Sequence, residues 1–312
     1  MIRSYDAAEI AAALDVPAAI ESQWRAFTAL ATGVARMPEK IMVPGPGDGS
    51  VALAYAARVS PETGPVCKFV SFNPGNDALG LPSINGMIVA LHQETGVPVA
   101  LLDGAAITTA RTSAASAVAV DALAVPEAGE LAVIGCGAQG RAHVRAIAAV
   151  RAPRRVRMFS PTAERRREAV AALAREFPVE ESMSVAEAVD GADMVVLCTV
   201  SEEPVLSASQ VSPGALVLAV GSFEPHRREV GRDLLAMAAA VVVDHAGTAA
   251  AHAGPVLDAL AAGVITEPLE LGDVLLGRST ARRSPEDVIF YNSTGIAVQD
   301  AAAVWAVLTA AG

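Results

Sequence analysis

The chain has 312 residues, with 23 lysines and arginines against 34 aspartates and glutamates, and a formal charge of −11 at pH 7. That charge repels nucleic acid and anionic membrane, which excludes a polyanion binder, leaves a small molecule as the expected partner, and has solubility as its plainer consequence. Cys67, Cys136 and Cys198 are odd in number and widely spaced, which argues against a disulfide framework or a zinc site and fits a reducing cytoplasm; a signal core and an apolar run of about 18 residues are both missing, so no membrane association is expected.

The first block reads as α+β. Residues 7–14 and 16–31 carry helical spacing, the second through Ile20, Trp24, Phe27 and Leu30. Strand-like runs follow at 41–43, 51–57, 67–72, 87–92 and 98–102, separated by Gly45-Pro46-Gly47-Asp48-Gly49, Pro74-Gly75-Asn76 and Glu94-Thr95-Gly96. These are hairpin turns, so the sheet is expected to be largely antiparallel. A helical pattern over 107–123 bridges to the second block.

There, Leu131-Ala132-Val133-Ile134 opens into Gly135-Cys136-Gly137-Ala138-Gln139-Gly140 and continues as a helix over 141–150. In this strand–turn–helix context the glycines form a dinucleotide fingerprint. Gly135 allows the tight turn, Gly137 admits a pyrophosphate to the main chain, and Gly140 lets helix and strand pack closely, with Ala138 and Gln139 at the positive end of the helix. Strands at 156–159, 194–198, 215–220 and 240–244 then alternate with helices at 163–176 and 185–189, which predicts a doubly wound parallel sheet. A last helix over 299–311 is expected to return to the first block. The predicted fold class is α/β: a Rossmann dinucleotide-binding domain over 121–295, and an α+β substrate-binding and dimerisation domain from 1–120 and 296–312.

In such a sheet, ligands meet the carboxyl ends of the strands, which makes Thr199, Val200, Val220 and Gly221 cofactor candidates by position. After the second strand, Ser160-Pro161-Thr162 contains no acid to hold a ribose diol, and Arg165-Arg166-Arg167 follows. Serine, threonine and Arg165 would accommodate a 2′-phosphate, so NADP is preferred and NAD is the alternative; a solvated helix face is the plain reading of the arginines. The only lysines are Lys40 and Lys68. An ammonium can exchange its proton where a guanidinium cannot, so both are chemical candidates, against surface retention for Lys40 and a solvent-facing strand position for Lys68.

Lys68 within Cys67-Lys68-Phe69-Val70-Ser71-Phe72-Asn73-Pro74-Gly75-Asn76, then Gly80-Leu81-Pro82-Ser83, Leu102-Asp103-Gly104, Ala110-Arg111-Thr112-Ser113-Ala114-Ala115 and the fingerprint stand in an order that resembles the ornithine cyclodeaminase and mu-crystallin family, from about Met37 to Asp300. The resemblance implies a homodimer of two-domain subunits and nicotinamide chemistry at the α-carbon of an amino or imino acid. It assigns catalysis to Lys68, the substrate side to Lys40, Arg111 and Ser83, with a structural salt bridge at the domain junction as the alternative for Arg111, and cofactor contacts to Thr112, at the start of the bridging helix, and to Ser293 in Tyr291-Asn292-Ser293-Thr294-Gly295. Asp300 is expected only to cap the last helix.

Two departures from the family pattern bear on the reaction. Met37-Pro38-Glu39-Lys40 puts a lysine where relatives carry an arginine, a point charge in place of a fork. Gly221-Ser222-Phe223-Glu224-Pro225 puts phenylalanine where cyclodeaminases carry the aspartate that handles the distal amine. Phenylalanine accepts no proton. The expected activity is therefore reduction of an α-imino acid of the ketimine or pyrroline-2-carboxylate type, or an alanine-dehydrogenase-like reaction. Ornithine cyclodeamination with a recycled cofactor, and a crystallin-like nucleotide-bound protein, are the alternatives.

Overall fold

The structure is a computed structural model and describes residues 2–311. It divides into two compact units, Met1–Arg111 with Ile296–Gly312, and Thr112–Gly295. The division falls inside the bridging helix, earlier than the boundary at 120 read from the sequence.

The first unit contains β1 (Arg3–Tyr5), α1 (Ala7–Ala13), α2 (Val16–Ala31), β2 (Ile41–Pro44), β3 (Val51–Ala57), β4 (Val66–Phe72), β5 (Ile84–Leu91), β6 (Pro98–Asp103), the first two turns of α3 (Gly104–Leu123), and the C-terminal helix Ala297–Ala310. Local chemistry starts the helices. Asp6 accepts from the Ala8 and Glu9 amides while Glu9 returns the bond, a capping box, and Asp15 caps α2 ahead of Pro17. Caps of this kind are each worth about 1 kcal/mol.

Strand order is β1-β6-β5-β4-β3-β2, antiparallel apart from the β1–β6 pair. Register decides what each face carries, because successive side chains alternate. Tyr55, Lys68, Ile88 and Leu102 form one row on the face where the C-terminal helix packs on β3 and β4, and Lys68, Ile88 and Leu102 are buried. Ile41, Ala54, Phe69 and Met87 form the row on the opposite face, with Ile41, Phe69 and Met87 exposed.

The second unit continues with β7 (Glu130–Ile134), α4 (Ala138–Val150), β8 (Arg155–Phe159), α5 (Ala163–Leu173), β9 (Val179–Glu181), α6 (Val185–Val189), β10 (Met194–Leu197), β11 (Leu216–Ala219), α7 (Arg232–Met237), β12 (Ala240–Val243), α8 (Ala246–His252), α9 (Gly254–Ala261), β13 (Leu269–Glu270), α10 (Leu271–Leu275) and β14 (Ile289–Asn292). The sheet is parallel throughout in the order β13-β12-β14-β11-β10-β7-β8-β9. The doubly wound α/β fold expected from the alternation is present.

The chain runs outward from β7 to β8 and β9 on one side and to β10 and β11 on the other. The carboxyl ends of β7 and β10 are therefore the switch point at which such sheets bind ligands. β14, buried between β11 and β12, had no counterpart in the sequence reading: four apolar or amide residues without alternation do not distinguish a strand from a core loop. Among the described residues no helix is long and apolar enough to cross a membrane.

Candidate active site

In the first unit, a lysine on β4 and an arginine on α3 meet one carboxylate on the C-terminal helix. Lys68 Nζ lies 2.7 Å from Asp300 Oδ2, and Arg111 Nε lies 3.0 Å from Asp300 Oδ1. Relative exposures of 3% for Lys68, 6% for Arg111 and 2% for Asp300 make this an internal cluster of two cations and one anion. Lys68 also donates to Thr108 Oγ1 at 3.4 Å and stands 4.8 Å over the Tyr55 ring. Gln299 Oε1 takes an Arg111 Nη1–H at 3.4 Å.

The electrostatics follow from burial and partners. Burial pulls the Lys68 ammonium down to about 8, with Asp300 opposing and Arg111 adding to the shift. Burial would raise the Asp300 carboxyl, but the Lys68 and Arg111 charges outweigh it and hold the group below the usual range. Lys68 therefore gives up its proton more readily than a solvated lysine, and the solvent-facing alternative does not apply.

Asp300 corrects the sequence reading. It lies in the first turn of the helix, but both carboxylate oxygens go to the cations rather than to the helix end. The available signal was an acid within the apolar run Ala297-Val298-Gln299-Asp300-Ala301-Ala302. Lys40 is half-buried, with its Nζ 6.0 Å from the Tyr55 ring that also lies under Lys68. Ser83 is half-buried ahead of β5, where its carbonyl accepts from the Asn73 amide at 2.8 Å.

The second unit holds the nucleotide candidates. Gly135 has φ +116° and donates its amide to Phe159 O at 2.8 Å; a side chain there would strike the Cys198 backbone. At Gly140 an added Cβ would collide with the Gly135 carbonyl, whereas at Gly137, the N-cap of α4, it would meet nothing within 4 Å. Tight packing at 135 and 140 with open space at 137 is the cradle a pyrophosphate requires, and Gly137 and Ala138 are exposed.

Thr112 Oγ1, Gln139 Oε1 and Ser293 Oγ are buried and lack a hydrogen-bond partner among the described residues. Unpaired buried polar atoms are costly unless a ligand completes them, so these residues fit a bound dinucleotide. Thr112 lies in the interior of α3, not at its start, because the helix begins at Gly104. Beneath the fingerprint, His143 joins α4 to α3: its Nδ1 is 2.8 Å from Gln139 O and its Nε2 is 2.9 Å from Ser116 Oγ. Burial depresses this imidazole to about 4 against the Gln139 hydrogen bond, so it is neutral, with Nδ1–H donating to the carbonyl.

After β8, Ser160 is buried while Pro161, Thr162 and Arg165 are exposed. Arg166 turns inward, donating to Ser160 O at 2.7 Å and pairing with Glu181 at 3.2 Å. Beyond β10 and β11, Thr199 is half-buried, Val200 is 77% exposed, and Val220 and Gly221 are buried.

Two buried carboxylates tie these strand ends together, and sequence reasoning missed both. Glu229 accepts from the amides of Thr199 and Gly221, and Asp244 accepts from the amides of Thr294 at 2.9 Å and Gly295 at 2.6 Å, fixing the turn that carries Ser293. Phe223 lies 4.7 Å beneath the Arg227 guanidinium, and Glu224 is buried and paired with Arg227 at 2.6 Å. Among the described residues no group of three or more His, Cys, Asp or Glu could hold a metal ion.

Known proteins are similar to this chain in architecture and in sequence. A Delta(1)-pyrroline-2-carboxylate reductase of Bacillus cereus is 33% identical over 238 residues, 75% of this chain and 73% of that protein. An NAD(P)H-dependent anabolic L-arginine dehydrogenase of Pseudomonas aeruginosa is 31% identical over 305 residues, 97% of this chain and 94% of that one. Among solved structures, an archaeal alanine dehydrogenase dimer with bound NAD matches with a TM-score of 0.93 and 27% identity, covering 99% of this chain and 96% of that one. The ornithine cyclodeaminase/mu-crystallin family profile matches residues 3–311, beyond the span that carried the resemblance, and the chain belongs to that family.

Proposed function

We propose that the chain is a nicotinamide-dependent reductase of α-imino acids, cyclic or open, which run in reverse is an amino-acid dehydrogenase. The observation that carries this reading is the buried Lys68–Asp300–Arg111 cluster. Its two cations outnumber its one anion, which suits a substrate carboxylate; Asp300 takes Arg111 Nε and Gln299 an Nη1–H, which leaves the Nη2 hydrogens for that carboxylate. Lys40 and Ser83 complete the substrate side.

When bound, the reduced nicotinamide supplies the hydride that turns C=N into C–N at the α-carbon, leaving the cofactor oxidised. Lys68 holds the proton that the substrate nitrogen takes up, and Asp300 keeps that ammonium oriented and charged. Gly135, Gly137, Ala138, Gln139 and Gly140 hold the pyrophosphate, and Thr112, Thr199, Val200, Val220, Gly221 and Ser293 hold the rest of the dinucleotide. The cofactor is NADP(H), with NAD(H) the weaker ligand. Ser160, Pro161 and Thr162 offer no carboxylate against a 2′-phosphate, and Arg165 is exposed on the first turn of α5.

A cyclodeaminase reading lacks its base: Phe223 occupies the aspartate position, and Glu224 is held by Arg227. A binding protein without turnover has no use for a buried ammonium that gives up its proton more readily than a solvated lysine. The row Ile41, Phe69 and Met87 supports a homodimer, since an exposed apolar sheet face of this kind suits a second copy. The free thiols of Cys67, Cys136 and Cys198 accord with a reducing cytoplasm.

The test is to mix the protein with NADPH and pyrroline-2-carboxylate, and separately with NAD and ornithine, following cofactor absorbance and ammonia. Oxidation of NADPH by the imine is expected. Ammonia from ornithine without net cofactor change would overturn the proposal.

A further inference from the structure

Glu229 lies in the loop before α7, fully buried at the carboxyl edge of the parallel sheet. Its Oε1 accepts from the Thr199 amide at 2.6 Å and the Thr199 hydroxyl at 2.8 Å; its Oε2 accepts from the Gly221 amide at 2.7 Å and the Ser222 hydroxyl at 3.3 Å. The Glu229 amide donates in turn to Ser222 Oγ at 3.0 Å. Thr199 follows β10 and Gly221 follows β11, and these strands are neighbours. One carboxylate therefore sets the spacing of two adjacent loops. A side chain at 221 would strike the Thr199 carbonyl and press on the Glu229 carboxylate, so glycine there is a condition of the clamp.

Stability alone gives a poor account of this arrangement. Burying a carboxylate is costly, and donors recover that cost without necessarily exceeding it, so a buried charge is weak evidence for fold stability and better evidence for a fixed geometry. A doubly wound sheet binds a dinucleotide across its two halves. The fingerprint and β8 take the pyrophosphate and adenosine, which leaves β10 and β11 for the other nucleoside.

We propose that Glu229 is the positioning residue for the nicotinamide end of the cofactor, holding the β10 and β11 loops at the spacing that end requires. This rests on the nicotinamide reading given above. The groups around it are consistent with an isolated charge held by hydrogen bonds: Cys198, at the end of β10, has its thiol pushed up by burial and then by Glu229, while the adjacent Arg227 and Arg228 side chains go to Glu224 and Asp258. Burial raises the Glu229 carboxyl to about 7 against the Thr199, Gly221 and Ser222 hydrogen bonds, so the clamp weakens on mild acidification.

The experiment compares binding of NADPH with binding of 2′-phospho-ADP-ribose, which lacks the nicotinamide, with NADH and ADP-ribose in parallel. In Glu229→Gln an NH₂ group faces donors, so the dissociation constant for NADPH should rise about tenfold while that for the fragment stays within about twofold. The wild-type protein supplies a second arm that needs no folded variant: between pH 8 and pH 6 NADH binding should weaken and binding of ADP-ribose, which has no 2′-phosphate to titrate, should not. Equal loss for both ligands, or no loss for either, overturns the proposal. If wild-type protein binds the fragment but neither nicotinamide dinucleotide, the nicotinamide reading itself falls.

Discussion

Lys68 and Asp300 meet at 2.7 Å inside the first unit, a strand lysine and a helix aspartate each almost closed off from solvent. A carboxylate that already holds Arg111 makes the ammonium tolerable in that place. Asp300→Asn keeps the shape and removes the charge, leaving two buried cations side by side. The expected cost is about 3 kcal/mol of stability, read by denaturant unfolding. The expected effect on chemistry is a Lys68 that loses its proton at lower pH, read as a downward shift of the alkaline limb of imine reduction. An unshifted limb would assign Asp300 to structure alone.

Lys68→Met should lower imine reduction by about a hundredfold or more, the range of a lost proton donor, while leaving NADPH affinity unchanged in a fluorescence titration. Loss of cofactor binding instead would contradict the assignment of Lys68 to the substrate side.

The pH dependence has a definite sign. Burial lowers Lys68 from 10.5 to about 8, so below about 8 it carries the proton that reduction consumes, and above it that proton is gone. The rate constant for imine reduction should therefore fall as pH rises through about 8, and amine oxidation, which needs a base, should rise through the same window. The linked stability change has its own direction: between about 8 and 10.5 only the unfolded chain holds the proton, so the cost of burying Lys68 is full below 8 and is relieved as pH rises.

The fingerprint was legible because its constraints are local: six residues determine a turn, an approach and a helix start. Chemistry and family pattern put Lys68 and Arg111 on one side of the site, and the structure brings both to one carboxylate. Asp300 was not, because position on a helix says nothing about which distant cations fold onto it. Glu229 and Asp244 escaped for the same reason: each carboxylate acts on amides of neighbouring loops, and only the strand order brings them within reach. β14 is four residues with no alternation, buried on both faces, and periodicity has nothing to register there.

Two glycines separate cofactor binding from folding. Gly137→Ala adds a methyl group into open space, so the melting temperature should hold while NADPH affinity falls about tenfold or more, because the pyrophosphate loses its approach. Gly140→Ala drives a methyl group into the Gly135 carbonyl, so the fold itself should lose a few kcal/mol, about 1–3 as for other overpacked sites. Equal melting temperatures for the two variants would contradict the packing account.

The exposed row Ile41, Phe69 and Met87 should be the face on which two copies meet. Ile41→Lys combined with Phe69→Lys places charge in that row and should convert a dimer to a monomer in sedimentation velocity. A wild-type monomer, or a variant that stays dimeric, would remove this face from the assembly.

The most direct measurement follows the hydride itself. NADPH carrying deuterium on both faces of the donating carbon of its ring is reacted with pyrroline-2-carboxylate, and the proline formed is analysed by mass spectrometry. Each proline should carry one deuterium on its α-carbon, with one cofactor oxidised per product. Unlabelled proline, or no oxidation of the cofactor while the protein holds it bound, would contradict the proposed reduction.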